Sequence, residues 1–329
     1  MPLADYLNPY AYFMRLRRMM YARGWLRSYH PGIPVISTGN LTVGGTGKSP
    51  LVLLIAEYLE RKHGKRVAVL SRGYKRRSKG FVLVRSGKEI LASVEKSGDE
   101  AQMFAELLPN AIVIVDEDRV HSALEAKALG AEVIVLDDGY QHLRLKRDLN
   151  ILLWDGHALP VLPFGRSREP ASAVRAADIV VSSDRKDTND QKSVDPMNVT
   201  IMLRSVPSTL TSLNVLEVPL PELHGKSVLA LSSIASPERF HEMLRELGAI
   251  VTPHPLADHA EYSEALIEKI LNEAEKSGVE MIVTTMKDAV KSRKYFERII
   301  SPIPIMILRH TLEFLSGGQR FYGAIDRIL

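Results

Sequence analysis

The sequence contains no cysteine among its 329 residues. This absence excludes disulfide cross-links, a thiolate zinc site and a cysteine nucleophile, and it fits a reducing cytoplasm. No apolar run reaches the length of a transmembrane helix, and the N-terminus lacks the apolar core of a secretory signal, so we expect a soluble or peripheral protein. Acidic residues are also missing between Asp5 and Glu57, which makes the N-terminal sixth strongly basic although the whole chain has a formal charge of only +4.

Residues 1–30 are predicted to form a basic, amphipathic, helical segment. Aromatic and apolar residues recur there at helical spacing, with arginines around them. Such a helix is typical of an anchor on an anionic membrane surface, because its rings enter the headgroup layer and its arginines meet the lipid charges. The residues predicted to make this contact are Arg15, Arg17, Arg18 and Trp25. A first helix that packs on the domain and leaves its arginines solvated is the alternative.

The glycine-rich stretch NLTVGGTGKSP lies between a predicted strand, Pro34 to Thr38, and a predicted helix, Leu51 to Arg61. Its end matches the Walker A pattern G-x-x-x-x-G-K-[ST], although Thr42 stands at the position of the first glycine. In this pattern backbone N–H groups surround phosphate oxygens, Lys48 reaches the β- and γ-phosphates, and the Ser49 hydroxyl binds Mg²⁺. The predicted nucleotide-binding residues are Thr42, Val43, Gly44, Gly45, Thr46, Gly47, Lys48 and Ser49. A glycine turn that binds nothing is the alternative.

A second motif, EVIVLDDGYQH, has the pattern of a Walker B strand. Val133 to Leu136 form the predicted strand, and Asp137 and Asp138 follow at its carboxyl end, where parallel sheets bind ligands. One aspartate is expected to hold Mg²⁺ and the other to orient water, Lys48 or Ser49. Either aspartate would also suit a turn or a helix cap. The predicted cofactors are therefore ATP and Mg²⁺.

Short β-branched runs alternate with helix-length segments along most of the chain. This alternation predicts an α/β fold: a mainly parallel sheet of the P-loop NTPase type with helices on both faces, followed by a second, smaller α/β domain. We assign 31–185 to the nucleotide-binding domain, the polar stretch 186–222 to a linker or surface loop, and 223–329 to the smaller domain.

Seven motifs together are similar to those of the tetraacyldisaccharide 4′-kinase family: GNLTVGGTGKSP, LSRGYKRRSKG, SGDEAQM, VLDDGYQHLRLKRDLNILLWD, REP, ADHAEYS and TTMKDAVK. They occur in the family's order and approximate spacing, and the similarity spans roughly Pro34 to Val290. The resemblance implies transfer of the γ-phosphoryl group of ATP to the 4′-hydroxyl of a tetraacylated glucosamine disaccharide 1-phosphate, which gives lipid IVA in the lipid A pathway of Gram-negative bacteria. It also implies a peripheral position at the cytoplasmic face of the inner membrane.

The resemblance further implies a catalytic pair: Asp99 as the base, assisted by His259. Lys48 of the glycine-rich loop is the third predicted catalytic residue, because it neutralises phosphate charge. The residues themselves favour other roles, because Asp99 precedes a helical segment that it would suit as an N-cap, and a lone histidine is more often structural. If Asp99 and His259 belong to different domains, the active site is a cleft that domain closure assembles.

Further candidates lie in three basic or polar segments. The segment SRGYKRRSKG follows a predicted strand at a carboxyl edge, where a solvated basic loop is the alternative to a phosphate-binding one. Glu169 of the R-E-P motif is a candidate second ligand for Mg²⁺ or substrate. The remaining candidates for binding substrate or phosphate are Arg72, Tyr74, Gln141, His142 and Arg168.

Two other functions share some of these features. A membrane-associated switch ATPase would have a similar loop, but the signature lysine of the ParA and MinD ATPases is replaced by Val43. A nucleic-acid-binding NTPase would explain the basic N-terminus, yet charges elsewhere are nearly balanced and no recognised binding module is present. We therefore expect a lipid disaccharide substrate and an anionic membrane surface as partners, with no nucleic acid and no obligate protein partner.

Overall fold

The structure, a computed structural model, describes residues 8–43, 47–183, 200–213, 216–258, 260–299 and 301–329. The chain divides into two compact units. The first comprises Met1–Ser205 and Leu312–Leu329, and the second comprises Val206–Thr311.

Strands and helices alternate along the chain, as the sequence predicts. The strands are β1 (Val35–Asn40), β2 (Val67–Ser71), β3 (Val82–Ser86), β4 (Glu89–Ile90), β5 (Ile112–Val115), β6 (Val133–Leu136), β7 (Leu149–Leu153), β8 (Ile179–Ser183), β9 (Thr200–Ser212), β10 (Glu217–Val218), β11 (Ser227–Ser232), β12 (Ile250–Pro255), β13 (Met281–Thr285) and β14 (Ile305–Ser316). The helices are α1 (Pro9–Ala22), α2 (Lys48–His63), α3 (Val94–Ser97), α4 (Asp99–Leu107), α5 (Arg119–Ala128), α6 (Pro237–Glu246), α7 (Glu264–Lys276), α8 (Met286–Phe296) and α9 (Gly318–Asp326).

The sheet of the first unit has the strand order β9-β8-β7-β1-β6-β2-β5-β3-β4. The pairs from β9 to β5 are parallel, whereas β3 pairs antiparallel with both β5 and β4. The mainly parallel sheet is therefore confirmed, with an antiparallel edge. The carboxyl ends of β1, β6 and β2 lie side by side, because these strands are parallel neighbours. That edge positions the candidate site.

Both faces of this sheet are covered by helices. On one face, small residues of α5 such as Ala123 and Ala126 pack on Leu70, Ile114 and Leu136 in a fully apolar cluster. The intervening residues of the same strands are equally buried, and α2 and α4 contact those strands as well. Burial on both faces explains why these strands read as continuous β-branched runs instead of alternating ones.

The second unit contains a smaller parallel sheet with the order β12-β11-β13-β14. Helix α7 contributes to an apolar cluster with Leu229, Leu231 and Ile282, and α6 contributes Phe240 and Leu244 to a second cluster with Val228 and other residues of the sheet. The chain passes from β11 to β12 on one side of it and then crosses to β13 on the other side. The unit is thus a small doubly wound α/β fold.

The observed units differ from the sequence-based boundaries at two places. Part of the expected linker 186–222 forms strand β9, while 186–199 and residues 214 and 215 lie outside the described residues. The C-terminal helix α9 belongs to the first unit and not to the second. Its docking on α2 explains this, because the rings of Tyr58 and Tyr322 stack with centroids 4.1 Å apart and the Tyr58 hydroxyl donates to Asp326 at 2.7 Å.

Candidate functional site

The phosphate loop leads directly from β1 into α2. Gly47 has φ +80°, a left-handed conformation that glycine adopts readily, and α2 begins at the next residue, Lys48. The free N–H groups and the positive end of a helix therefore lie at the end of the loop, as a phosphate site requires. Three predicted loop residues, Gly44, Gly45 and Thr46, lie outside the described residues.

Lys48 is held at the carboxyl edge of the sheet by two oxygen atoms. Its Nζ atom donates to Asn40 Oδ1 at 3.2 Å and forms an ion pair with Asp138 Oδ1, also at 3.2 Å. Asn40 ends β1 and Asp138 follows β6, so two neighbouring strands supply these partners. The predicted phosphate-loop lysine thus contacts Asp138 of the Walker B motif, which is the contact that an aspartate orienting Lys48 would make.

Asp138 also accepts a hydrogen bond from Arg168 Nη1 at 2.6 Å. Burial alone would raise the pKa of the Asp138 carboxyl, but the charges of Lys48 and Arg168 outweigh it and hold this pKa below its ordinary value. The backbone of Asp138 has φ +53°, which aspartate tolerates better than most residues. This conformation places an ionised carboxylate between two cations.

Asp137 lies in a different environment from its neighbour. It is only 2% exposed, its Oδ2 accepts from the Ser71 hydroxyl at 3.0 Å, and its Oδ1 is buried with no hydrogen-bond partner among the described residues. Burial, reinforced by the nearby charges of Glu100 and Asp138, raises the pKa of Asp137 to about 7. The two adjacent aspartates therefore differ. Asp138 is ionised and paired with cations, whereas burial makes the charge of Asp137 unfavourable unless a cation binds to it.

Ser49 and Glu100 connect α2 to α4. The Ser49 hydroxyl, on a side chain buried beside the phosphate loop, donates to Glu100 Oε1 at 3.2 Å. Glu100 was not among the sequence-based candidates, although it immediately follows Asp99 in the SGDEAQM motif. Sequence reasoning missed it because a second acid in the first turn of a helix is common for electrostatic reasons alone.

Asp99 is the first residue of α4 and is largely buried, with 8% exposure. The alternative role as an N-cap is not what the structure has: Gly98 occupies that position, with φ +85° and no side-chain cap. The Asp99 carboxylate instead accepts from the following backbone N–H, that of Glu100, at 3.0 Å. The predicted partner of Asp99, His259, lies outside the described residues.

The R-E-P segment pairs with the phosphate loop. Thr42 and Ser167 form an antiparallel bridge, Val43 N donates to Arg166 O at 2.8 Å, and Arg168 N donates to Leu41 O at 2.6 Å. This pairing brings Arg168 to Asp138. A one-residue shift of the chain here would carry Arg168 away from the carboxylate.

Glu169 has a cation as its partner. Its Oε2 atom lies 2.7 Å from Arg18 Nη2, both side chains are mostly buried, and burial raises the pKa of Glu169 although Arg18 partly offsets this effect. Its other oxygen, Oε1, is buried without a hydrogen bond from any described residue. Within the described ranges, no three acidic or histidine side chains are grouped to hold a metal ion.

The remaining phosphate-binding candidates fall into two groups. Gln141 and His142 are fixed near the loop: Gln141 Nε2 donates to Asn40 O at 2.9 Å, and burial lowers the pKa of His142 to about 4, so that its ring is neutral at neutral pH. Arg72 and Tyr74 follow β2 and are exposed, Tyr74 by 61%. The basic loop is not uniformly solvated, because the Arg76 side chain is only 2% exposed and pairs with Glu117 at 2.7 Å.

A buried arginine beside the aspartates was also missed by sequence reasoning. Arg119, the first residue of α5, is 4% exposed and donates to the Asp116 carbonyl. Burial lowers its pKa to about 10, while the negative charges of Asp137, Asp138 and Asp116 act in the opposite direction. A single arginine in a helix that contains other charged residues gives no sequence signal of burial, so only the packing identifies it.

Helix α1 buries one face and exposes another. Ala11 and Met14 are buried, and Arg17 and Arg18 extend toward the Gln141 carbonyl, at 3.1 Å, and Glu169. The opposite face is apolar and exposed. It comprises Tyr12 (52%), Phe13 (58%) and Leu16 (49%), with Trp25 (62%) beyond the helix. No helix in the described parts of the chain is long and apolar enough to cross a membrane.

Comparison with known proteins gives a consistent result. The family model for the tetraacyldisaccharide-1-P 4'-kinase matches residues 3–329. Proteins named tetraacyldisaccharide 4'-kinase from Geobacter sulfurreducens and Pelobacter propionicus are each 41% identical, over 97% and 86% of this chain and 91% and 80% of their own lengths. A crystal structure of "apo" form LpxK from Aquifex aeolicus in complex with ATP superimposes with a TM-score of 0.81 at 32% identity, covering 97% of this chain and 96% of that one.

A match over nearly the whole chain, together with a phosphate loop whose lysine meets the Walker B aspartate, places this protein in the tetraacyldisaccharide-1-P 4'-kinase family.

Proposed function

We propose that the protein transfers the γ-phosphoryl group of ATP to the 4′-hydroxyl of a tetraacyldisaccharide 1-phosphate, which gives lipid IVA. The observation that supports this proposal most directly is the Lys48 ammonium between Asn40 and Asp138, at the carboxyl ends of two neighbouring parallel strands. Parallel sheets bind ligands at this edge, and phosphoryl transfer requires a cation there. The names of the family and of its relatives supply the acceptor.

The phosphate loop, residues Thr42 to Ser49, would hold the nucleotide. Lys48 would exchange Asp138 for phosphate oxygens of higher charge, and the N–H groups at the start of α2 would bind the same phosphates. Arg168, which shares Asp138 with Lys48, would be released toward a phosphate in the same step. Positive charge at these atoms stabilises the charge that spreads over the γ-phosphoryl oxygens during transfer.

The residues present fit a Mg²⁺ ion in this site. Asp137 offers a buried oxygen without a hydrogen-bond partner among the described residues, and its raised pKa reflects an unfavourable buried charge that a bound cation would offset. Ser49 offers a hydroxyl. Few protein ligands would be needed, because phosphate oxygens and water would supply the others. When bound, Mg²⁺ would neutralise phosphate charge and fix the phosphate geometry. We assign the metal contact to Asp137 and Ser49, with Asp138 as the partner of Lys48 and Glu100 as the partner of Ser49. We do not assign it to Glu169, which is paired with Arg18.

Asp99 is proposed as the general base. Its carboxylate would take the proton of the 4′-hydroxyl as the acceptor oxygen forms its bond to the γ-phosphorus and the bond from that phosphorus to the oxygen of ADP breaks. His259, the second catalytic residue that the resemblance implies, lies outside the described residues, and its role as the assistant of the base stays a proposal. The step thus transfers one phosphoryl group to the lipid and one proton to the Asp99 carboxylate.

The exposed residues Arg72 and Tyr74, with Gln141 and His142 near the loop, are proposed to contact the disaccharide or its 1-phosphate. A guanidinium forms bidentate bonds with phosphate, and an exposed tyrosine ring offers a surface for a sugar. Because His142 is neutral at neutral pH, it would act as a hydrogen-bonding group and not as a cation.

The exposed face of α1 is proposed to contact the cytoplasmic surface of the inner membrane. Tyr12, Phe13 and Leu16 lie on one side of the helix, and Arg23 lies near Trp25, with its guanidinium 5.4 Å from the ring centroid. The sequence-based expectation included Arg18 among the membrane-contacting residues, but Arg18 forms an ion pair with Glu169. We therefore propose that the exposed apolar residues make more of the membrane contact. We expect the change of Phe13 and Leu16 to serine to reduce sedimentation with anionic vesicles, whereas the matched change of exposed Leu124 on α5 should not.

The test of the proposed activity uses γ-labelled ATP, Mg²⁺ and a tetraacyldisaccharide 1-phosphate in mixed micelles. We expect label in the lipid, with the rate lost in Asp99→Asn by about a hundredfold or more. Label found only in inorganic phosphate, at a rate that lipid does not change, would contradict the proposal and favour the switch ATPase.

A further inference from the structure

Residues 159–164, called the apolar loop below, expose large apolar side chains that have no part in the proposed reaction. Phe164 is 65% exposed, a larger fraction than that of Phe13 on α1, and Leu159 and Leu162 are exposed as well. The loop follows β7 and belongs to the first unit. A group of large apolar side chains in contact with water is unfavourable, and such groups commonly mark a surface that binds a partner or a membrane.

Hydrogen bonds within the protein fix the shape of the apolar loop. Leu162 N donates to the Ser167 carbonyl at 2.9 Å, and Ser167 N donates to the Pro160 carbonyl at 3.1 Å. Phe164 N donates to the Val161 carbonyl, also at 3.1 Å, and Val161 is fully buried. The loop is therefore held to the body of the unit, while the side chains of Leu162 and Phe164 stay exposed in a fixed arrangement.

Asn8 joins the apolar loop to the start of α1. It is almost fully buried, and its Nδ2 atom donates to the carbonyls of Val161 at 3.2 Å and Leu162 at 2.9 Å. Its Oδ1 atom accepts from Tyr10 N at 3.0 Å and caps the helix. Leu162 is thus attached to the first turn of α1, where Tyr10 begins the exposed apolar residues of that helix. The exposed side chains of the loop therefore continue those of α1.

The backbone of the apolar loop is suited to a surface with little water. Pro160 and Pro163 have no N–H group, and the N–H groups of Leu162 and Phe164 already donate within the protein. Two carbonyls of the loop accept from Asn8. A backbone polar group without a partner is costly to move into lipid, so these internal partners lower the cost of inserting the loop.

The charge beside the apolar loop is positive. No acidic residue occurs between Asp155 and Glu169, and Arg166, which follows the loop, is exposed. Glu169 itself is buried and paired with Arg18. Helix α1 likewise contains no acidic residue. Positive charge beside exposed apolar side chains favours an anionic lipid surface over an uncharged apolar partner.

We propose that the apolar loop is a second membrane-contact element, which inserts Leu162 and Phe164 into the same anionic lipid surface as the exposed face of α1. The proposal rests on the membrane contact proposed for α1. It also has a consequence for the site, because the Arg166 carbonyl accepts from Val43 N of the phosphate loop at 2.8 Å. The apolar loop would therefore keep the phosphate loop near the lipid surface in which the acceptor lies.

The test measures the cosedimentation of full-length variants with vesicles of equal parts phosphatidylglycerol and phosphatidylcholine, without ATP or lipid substrate. We expect the double variant Leu162→Ser, Phe164→Ser to bind about tenfold more weakly than the wild type, because two large side chains no longer leave water. The matched control is Leu91→Ser with Leu124→Ser. It removes two leucines that are 52% and 53% exposed, one after β4 and one on α5, and it should bind as the wild type does.

The variant Phe13→Ser, Leu16→Ser separates this inference from the proposal on which it rests. If this α1 variant binds weakly and the loop variant binds as the wild type does, the inference is wrong and the proposed contact of α1 stands. If neither variant loses binding, the contact of α1 fails and the inference fails with it. A loop variant that sediments normally but has a raised KM for the lipid substrate in micelles would assign the loop to the substrate's acyl chains and also overturn the inference. Because sedimentation requires no phosphoryl transfer, these binding results do not depend on the proposed kinase activity.

A fluorescence measurement tests the same inference without removing apolar surface. Phe164→Trp is placed in a chain with Trp25→Phe, so that Trp154 is the only other tryptophan and gives a constant background. We expect vesicles to shift the emission to shorter wavelength, and lipids with brominated acyl chains to quench it, because the ring at position 164 leaves water. Leu124→Trp in the same chain should show neither effect. Emission from position 164 that vesicles leave unchanged would overturn the inference.

Discussion

Replacement of Asp137 by asparagine should stabilise the metal-free protein at alkaline pH. The Asp137 carboxyl is almost fully buried, has one unpartnered oxygen among the described contacts and lies near the charges of Glu100 and Asp138. Ionising it in the folded state is therefore costly, and asparagine removes the charge while retaining an oxygen for the Ser71 hydroxyl. Residues arranged for a ligand commonly reduce stability in this way.

The magnitude follows from the pKa of Asp137, which rises from 3.8 to about 7 on folding. A raised pKa means that the folded state binds more protons than the unfolded state between these two values, so stability falls as pH rises through this window. At about 1.4 kcal/mol for each pKa unit, the stability lost from this group is at most about 4–5 kcal/mol, and the loss is complete slightly above pH 7. The asparagine variant lacks this loss.

The assay is urea unfolding of the metal-free wild type and Asp137→Asn from pH 4 to pH 8.5. The free-energy difference in favour of the variant should grow from about pH 4 to pH 7 and then level off. Asp138→Asn is the matched control of opposite sign. The pKa of Asp138 is lowered in the fold, so its loss should destabilise the protein at neutral pH, with an effect that fades in acid. An Asp137→Asn variant that is less stable than wild type at pH 8, or a difference without pH dependence, would refute the reasoning.

Two further predictions concern the elements that support the site. Arg18→Met should destabilise the protein by about 3–5 kcal/mol in urea unfolding because it leaves the buried Glu169 without its cation. Adding Glu169→Gln to Arg18→Met should recover part of this loss, because it removes the unpaired buried charge. If the single and the double variant were equally stable at neutral pH, the result would contradict a buried ion pair. Gly39→Ala should lower stability by about 1–3 kcal/mol, since a Cβ there would lie 2.5 Å from Tyr140 Cβ, whereas Gly323→Ala, with open space around it, should not.

The sequence predicts the local framework of the site because that framework depends on short-range patterns. A β-branched run, a glycine loop and an apolar helical period define β1, the phosphate loop and α2 within about 30 residues, as in other βα units. The aspartates after β6 follow from the same logic. Since β1 and β6 are parallel neighbours, their carboxyl ends meet, and Lys48 contacts Asp138 as that adjacency requires.

The remaining contacts depend on which distant segments pack together. The ion pair of Arg18 with Glu169 joins residues separated by 151 positions, and nothing in either local sequence identifies its partner. The bond of Ser49 to Glu100 likewise depends on the packing of α2 beside α4. Helix α9 joins the first unit through Tyr58, although it follows the second unit in the chain. Tertiary packing, and not the helix or strand propensity of each segment, determines which of these segments contact each other.

The most direct test of the central claim is the position of the new phosphate in the lipid product. The wild-type protein would be incubated with ATP, Mg²⁺ and a tetraacyldisaccharide 1-phosphate, and the isolated lipid examined by proton–phosphorus correlation NMR. We predict one new phosphomonoester correlated with the proton at carbon 4′ and an unchanged 1-phosphate. A phosphate at another position, or ADP formed without new phosphorus in the lipid, would contradict it.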